Sequence, residues 1–214
     1  MFRKALMILQ GMGLAQLVYL LIALAVAISV HEACHAWMAY NLGDPTAKLL
    51  GRLTLNPLAH LDPLGAIAIF LIGFGWGKPV PVNPYRLSNG AKTGMAMVSL
   101  AGPLSNMVTA AFFALPLRLD MVSSVQLIDL LGTIIVINVS LAVFNLIPLP
   151  PLDGYKIALG LLPDRQAYSF ARLEQYGPTL LLMIILADNF LHIGIFGRLL
   201  QPAASLLLRF ILGA

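Results

Sequence analysis

Apolar positions in this chain come in unbroken blocks rather than in the alternations of a water-soluble fold. Three stretches free of charged side chains, 5–31, 93–117 and 130–152, are long enough to cross about 30 Å of hydrocarbon as helices. The first is expected to stay helical through His35 to about residue 40, where Gly43, Asp44 and Pro45 stop it. A fourth stretch, 63–77, is short and rich in glycine, which suits a re-entrant or tilted segment better than an independent span. Residues 178–214 are apolar but interrupted by Asp188, His192, Arg198 and Pro202, and predict one or two further helices. Between the spans lie two polar regions, 41–92 and 153–175. Within the first, the run 77–84 alternates proline and valine, which forbids helix and favours an extended edge or a loop. The pattern predicts an all-α polytopic membrane protein of about four to six transmembrane helices, with a re-entrant or extended segment near 63–84. No repeat or soluble insertion is visible, so residues 1–214 are expected to form one membrane domain.

Composition agrees. Of the 214 residues, 59% are hydrophobic and 10% charged, against roughly 25% charged in soluble domains. Too little polar surface exists to cover such a fold in water. The net charge of +4 comes from scattered single residues, without the basic block that nucleic-acid binding needs. One cysteine, Cys34, excludes an intrachain disulfide. Arg3 and Lys4 before an apolar run, with Ala25-Val26-Ala27 further on, resemble a signal peptide. The uncharged stretch nevertheless exceeds the ~7–15 residues of such a segment, and an uncleaved span is expected. Lys48, Arg52, Lys78, Arg86, Lys92, Lys156, Arg165 and Arg172 lie in the two polar regions, against Arg3, Lys4 and Arg118 in the N-terminal tail and the loop after the second long span. Both polar regions are therefore expected on the cytoplasmic side, provided that 63–77 does not cross fully.

The chemistry is concentrated at His31-Glu32-Ala33-Cys34-His35, an HExxH sequence. On a helix its histidines share one face about 6 Å apart along the axis. Two neutral imidazoles in that relation can bind one Zn²⁺ while the intervening glutamate reaches a water beside it. A charged glutamate in an apolar helix costs at least ~2.5 kcal/mol unless a partner or a function retains it. The bland alternative is a buried polar cluster that joins helices. A catalytic zinc site also needs a third protein ligand. His60, His192 and Asp153 are the candidates; the Gly and His of a soluble metzincin extension are absent, replaced by Met38 and Asn41. Asp153 follows Phe144-Asn145-Leu146-Ile147-Pro148-Leu149-Pro150-Pro151-Leu152, where an apolar span meets three prolines, and it is followed by Gly154. Broken backbone at membrane depth lines a cavity or lies inside protein. An exposed aspartate at an ordinary span end would give the same letters.

HEACH on one apolar helix and FNLIPLPPLDG on a later one resemble the site-2 protease family of intramembrane zinc metalloproteases, in its compact bacterial branch. Gly51-Arg52-Leu53-Thr54-Leu55-Asn56-Pro57, the segment 75–84 and Ala101-Gly102-Pro103-Leu104-Ser105-Asn106 extend the resemblance over roughly residues 15–165. Leu146 stands where that family often has proline, and no PDZ-like insertion is present. The resemblance implies a catalytic core over about 13–165 with C-terminal helices at 178–214. It implies one catalytic Zn²⁺ held by His31, His35 and Asp153, and Glu32 as general base. Asn145 is implied either to hold the substrate backbone or oxyanion or to cap and join helices. Gly102 and Asn106 are expected to pack against the metal helix, with substrate contact the alternative. Cys34 is expected to pack, His60 to make a surface hydrogen bond, and Asp188 with His192 to form an interhelical pair. The implied substrate is a transmembrane protein or peptide in a prokaryotic inner membrane, with the site toward the cytoplasm. The lipid bilayer is the expected partner and nucleic acid is not; a homo-oligomer is compatible. A silent zinc-binding sensor or scaffold and a metal-conducting transporter are the competing classes.

Overall fold

The structure is a computed structural model that describes residues 13–65, 68, 75–191 and 193–213. The described residues are helical with no strand, as the apolar blocks predict. Nine helices carry the description: α1 Leu14–Asn41, α2 Thr46–Leu49, α3 Pro57–His60, α4 Ala91–Arg118, α5 Val125–Asn145, α6 Asp153–Leu161, α7 Asp164–Ala171, α8 Gly177–Leu191 and α9 Ile195–Leu212. Of these, α1, α4, α5 and α9 are long and apolar enough to cross a membrane. The chain is an integral membrane protein.

Helix α4 is the spine, packed against α1, α5, α6 and α9. Its buried face steps by four residues through Gly94, Val98, Gly102, Asn106, Ala110 and Ala114. The buried face of α1 steps likewise through Ala23, Ala27, His31, His35 and Ala39. Small side chains at this spacing let two backbones approach closely, which is how helices associate where lipid removes the hydrophobic drive. Away from the histidines, Ala110 and Ala114 close a core with Ile135, Val139, Val143 and Ile211, which docks α9.

The third apolar stretch stops being helical at Asn145, seven residues before the charge-free run ends. Pro148, Pro150 and Pro151 lack the N–H groups that would continue it, and a new helix, α6, starts at Asp153. This connection is held by Leu152, Leu181 and Ile185, with Phe144, Ile147 and Phe196 around them. Helix α6 lies on the N-terminal half of α4: a Cβ on Gly160 would run into Ala96, and Lys92 Nζ donates to the Leu162 carbonyl and to Asp164, both at 2.7 Å.

After α1 the chain stays tied to the end of that helix. Asp44 is fully buried; its carboxylate accepts from the Thr46 N–H at 3.1 Å and from the Asn83 N–H at 2.6 Å. Burial pushes its carboxyl up, but these donors and the nearby Arg86 charge outweigh that and hold it below the usual range. Leu61 and Gly77 form an antiparallel bridge, with the Lys78 N–H donated to the His60 carbonyl at 2.8 Å. The chain at 77 thus returns to where it left at 61. Residues 66–67 and 69–74, and with them most of the expected re-entrant segment, lie outside the described residues. Residues 78–82 form no strand and lead into a single 3-10 turn, Pro84–Arg86.

This arrangement fixes which loops share a face of the membrane. In a Cys34→Ser background, cysteines at the exposed Tyr85 and Leu161 should react with an impermeant maleimide from one face of sealed vesicles. A cysteine at Met121 should react only from the other. Labelling of positions 85 and 161 from opposite faces would contradict the topology.

Candidate metal centre

His31 and His35 lie one turn apart on the buried face of α1, 5% and 7% exposed. Their Nε2 atoms are 3.0 Å apart. Asp153, in the first turn of α6, brings Oδ2 to 3.1 Å from one and 3.2 Å from the other. A metal with bonds of ~2.0–2.1 Å in tetrahedral geometry separates its ligands by about 3.3 Å, so the triangle is close to one ion's requirement. Among the described residues, His31, His35 and Asp153 form the group that could hold a metal.

The hydrogen bonds behind the rings explain why this triangle is suited to a cation. Asn138 Nδ2 donates to the Ile134 carbonyl at 2.9 Å, which turns its Oδ1 toward Asn106. Asn106 Nδ2 donates to that Oδ1 at 2.9 Å and to the Ala27 carbonyl at 3.0 Å. Its own Oδ1 therefore faces His31 Nδ1, at 2.6 Å, as an acceptor. His35 Nδ1 meets the Val98 carbonyl at 2.7 Å. In both neutral rings the proton is drawn to Nδ1, and the Nε2 lone pairs point inward. Asp153 Oδ2, buried and without a hydrogen-bond donor, completes three lone-pair-bearing atoms around one point with no proton between them. Such a set repels itself unless a cation lies at its centre. The residues fit zinc.

Gly102 makes the close approach possible. A Cβ there would lie 2.5 Å from His35 Cε1 and Nε2 and 2.6 Å from His31 Cε1. The expectation that Gly102 and Asn106 pack against the metal helix agrees with these contacts, and Asn106 does more by orienting a ring. Pro103 withdraws one N–H from the α4 ladder in the same turn in which Val98 offers its carbonyl sideways to His35.

A family model for peptidase family M50 matches residues 118–187, which include Asp153. A Bacillus subtilis (strain 168) protein that carries the name of a zinc metalloprotease, YwhC, is 43% identical over 174 residues, 78% of this chain and 79% of its own. The chain belongs to peptidase family M50. This M50 protein is also 30% identical over 172 residues to Rip2 of Mycobacterium tuberculosis (strain H37Rv), which has a zinc metalloprotease name too. It is 29% identical over 173 residues to Rip2 of Mycolicibacterium smegmatis. The alignments take in 77% and 75% of this chain but 65% and 63% of those relatives, so it spans under two thirds of their length. No solved structure matches. The M50 chain is a zinc metalloprotease of the site-2 type.

Other expected site residues are placed as follows. Glu32 is half-buried beside the ligands, and its Oε1 lies against Gly77, 3.9 Å from where a Cβ would sit. Asn145 ends α5, and its Nδ2 donates to the Leu141 carbonyl of its own helix at 3.0 Å. Cys34 is half-buried and stands outside the metal group. His60 is not at the surface: it is fully buried, with Nε2 2.8 Å from the Thr54 carbonyl and Nδ1 3.3 Å from Arg52 Nη2. Its own backbone carbonyl accepts from Lys78 of the segment that returns at 77, and Arg52 lies against the ring. Asp188 accepts from the Ile195 N–H at the start of α9, and His192 lies outside the described residues. Asn138 was not anticipated; its signal is an amide in an otherwise apolar span, where a polar group needs a partner or a task.

Loss of the Asn106 amide should free the His31 ring. Asn106→Ala is expected to weaken zinc binding about 10–100-fold, measured by competition with a chromogenic chelator. Gly102→Val should abolish stoichiometric zinc. Wild-type affinity in either variant would separate the asparagine network and the close approach from the metal.

Proposed function

We propose that this M50 protease hydrolyses peptide bonds of membrane-spanning substrates, with His31, His35 and Asp153 holding the zinc and Glu32 handling the proton. The observation that carries the reading is the convergence of two imidazole nitrogens and a carboxylate oxygen at one point, with each ring's Nδ1 turned outward to an acceptor, on helices that are otherwise apolar. When bound, zinc supplies the Lewis acidity that makes a water acidic near neutral pH and polarises the scissile carbonyl. Glu32 follows His31 directly, so its carboxylate can take the proton from the attacking water and return it to the leaving amine. Asn145 remains a proposed substrate-holding residue. Its Nδ2 is engaged with Leu141, so it would have to act through its Oδ1 or after a rotation.

The substrate must be unwound, because a helix hides its carbonyls. Extended backbone beside Glu32 supports an added-strand mode of binding. The N–H and C=O groups of Val80 and Val82 have no partner among the described residues, while Pro79 and Pro81 carry no N–H. The surplus of Lys and Arg in 41–92 and 153–175 supports a site toward the cytoplasmic face, and the membrane we propose is a prokaryotic inner membrane. The meeting of Leu61 with Gly77 supports an even number of crossings between the two halves of the site. The proposed partners are a transmembrane protein or peptide and the surrounding lipid, and the whole of 1–214 is read as one domain.

Glu32→Gln decides between a protease and a silent zinc-binding relative. Reconstituted with a panel of single-span peptides, the variant should keep one zinc per chain and lose about 10²–10⁴-fold of the cleavage rate. Asp153→Ala should lose the zinc itself. Cleavage at the wild-type rate by zinc-loaded Glu32→Gln would overturn the assignment of the base.

A further inference from the structure

Arg52 is a cation that neither the metal nor the proposed proton transfer uses, and only 6% of it is exposed. None of the ion pairs among the described residues includes it. Its guanidinium is spent on backbone instead: Nη1 donates to the Pro79 carbonyl at 3.2 Å, and Nη2 donates to the Lys78 carbonyl. Nη2 also lies 3.3 Å from His60 Nδ1. His60 Nε2 faces the Thr54 carbonyl, which can only accept, so the ring proton sits on Nε2 and Nδ1 accepts from the arginine. The buried histidine is thus a neutral prop behind the fork. Burying an arginine without a carboxylate is costly. It persists where the planar fork fixes something that a point charge cannot.

What it fixes adjoins the reacting groups. Lys78 is held through both of its backbone polar groups: its N–H donates to the His60 carbonyl, and its carbonyl accepts from Arg52. Gly77, one residue earlier, lies against Ile28 and Glu32 of the metal helix: a Cβ there would be 3.4 Å from Ile28 Cγ2 and 3.9 Å from Glu32 Oε1. At the other end of the segment, Asp44 holds the Asn83 N–H and Leu42 accepts from the Ser88 N–H at 2.7 Å. Val82 and Leu87 pack on Ala39 and Leu42 at the end of α1. Residues 77–83 are therefore clipped at both ends to elements that continue from the metal helix, and Arg52 makes the clip nearer to Glu32.

We propose that Arg52 is a positioning residue of this protease. Acting through the Lys78 and Pro79 carbonyls, it sets the distance between the 77–83 backbone and Glu32, and so the alignment of an extended substrate with the base. The part that concerns substrate rests on the protease reading above; the clip itself does not. Lysine at this position keeps the charge but cannot reach two carbonyls and an imidazole together.

The test uses the full chain in nanodiscs, with hydrogen exchange over 75–84, zinc content and cleavage of fluorescein-labelled casein, an unfolded probe. Arg52→Ala should speed exchange of the Lys78 amide about tenfold or more, keep one zinc per chain, and lower kcat/KM about tenfold. Arg52→Lys should fall between this variant and wild type in both exchange and kcat/KM. Wild-type exchange at Lys78 in Arg52→Ala would overturn the proposal, as would zinc loss matching that of Asp153→Ala. If Arg52→Ala does not fold, wild-type exchange and kcat/KM in Arg52→Lys overturn it equally. A wild type that leaves casein intact counts against the protease reading, while the exchange comparison still decides whether the clip exists.

Discussion

Three lone pairs aimed at one point constrain everything else in this molecule. Two imidazole nitrogens and a carboxylate oxygen within 3.0–3.2 Å of one another are unstable company without a positive charge. The surrounding protein holds them there by directing each ring proton outward, to Asn106 and to the Val98 carbonyl. Because Asn106 is itself oriented by Asn138 and the Ala27 carbonyl, the tautomer of His31 is set by a chain of donors running through α1, α4 and α5. A change in any of these three helices would be felt at the metal.

That demand explains the unusual smallness of the α1–α4 contact. Alanine at 23, 27 and 39 and glycine at 102 bring two backbones close enough for a main-chain carbonyl and a short amide to reach the imidazoles. Large side chains would gain dispersion contacts but would push Val98 and Asn106 out of reach. Inside a bilayer close packing of small residues carries helix association, so adhesion and the orientation of ligands are achieved by the same residues.

Much of this was legible in the chain. The blocks of apolar residues marked α1, α4 and α5, and HEACH marked the ligand pair, because helical periodicity converts a spacing of four directly into a shared face. Asp153 was legible as a candidate from its prolines and became specific through the family resemblance. Hydropathy alone would carry the third span to residue 152; the three prolines announced the break, and the structure puts the last helical residue at Asn145. His60 was misread because its burial depends on residues 52 and 78–79, brought together by a return of the chain that no local pattern announces. Asn138 lay in plain sight but had no motif around it; its partner is 32 positions away.

The break after α5 also explains why the carboxylate comes from a short helix rather than from a span. A ligand at the third corner must approach the histidines from outside the α1–α4 contact, at the depth where those two helices already fill the space. Prolines release the chain from α5, and Leu152 with the residues around it anchors the connection. Helix α6 then begins with Asp153 in its first turn, where the unpaired N–H groups favour an ionised carboxylate. Gly154 lets this turn press against the carbonyls of Leu146 and Ile147. A continuous helix through 145–153 would place residue 153 about 12 Å further along the α5 axis, beyond the reach of either imidazole, so the loss of helix at the prolines is what makes a three-ligand site attainable.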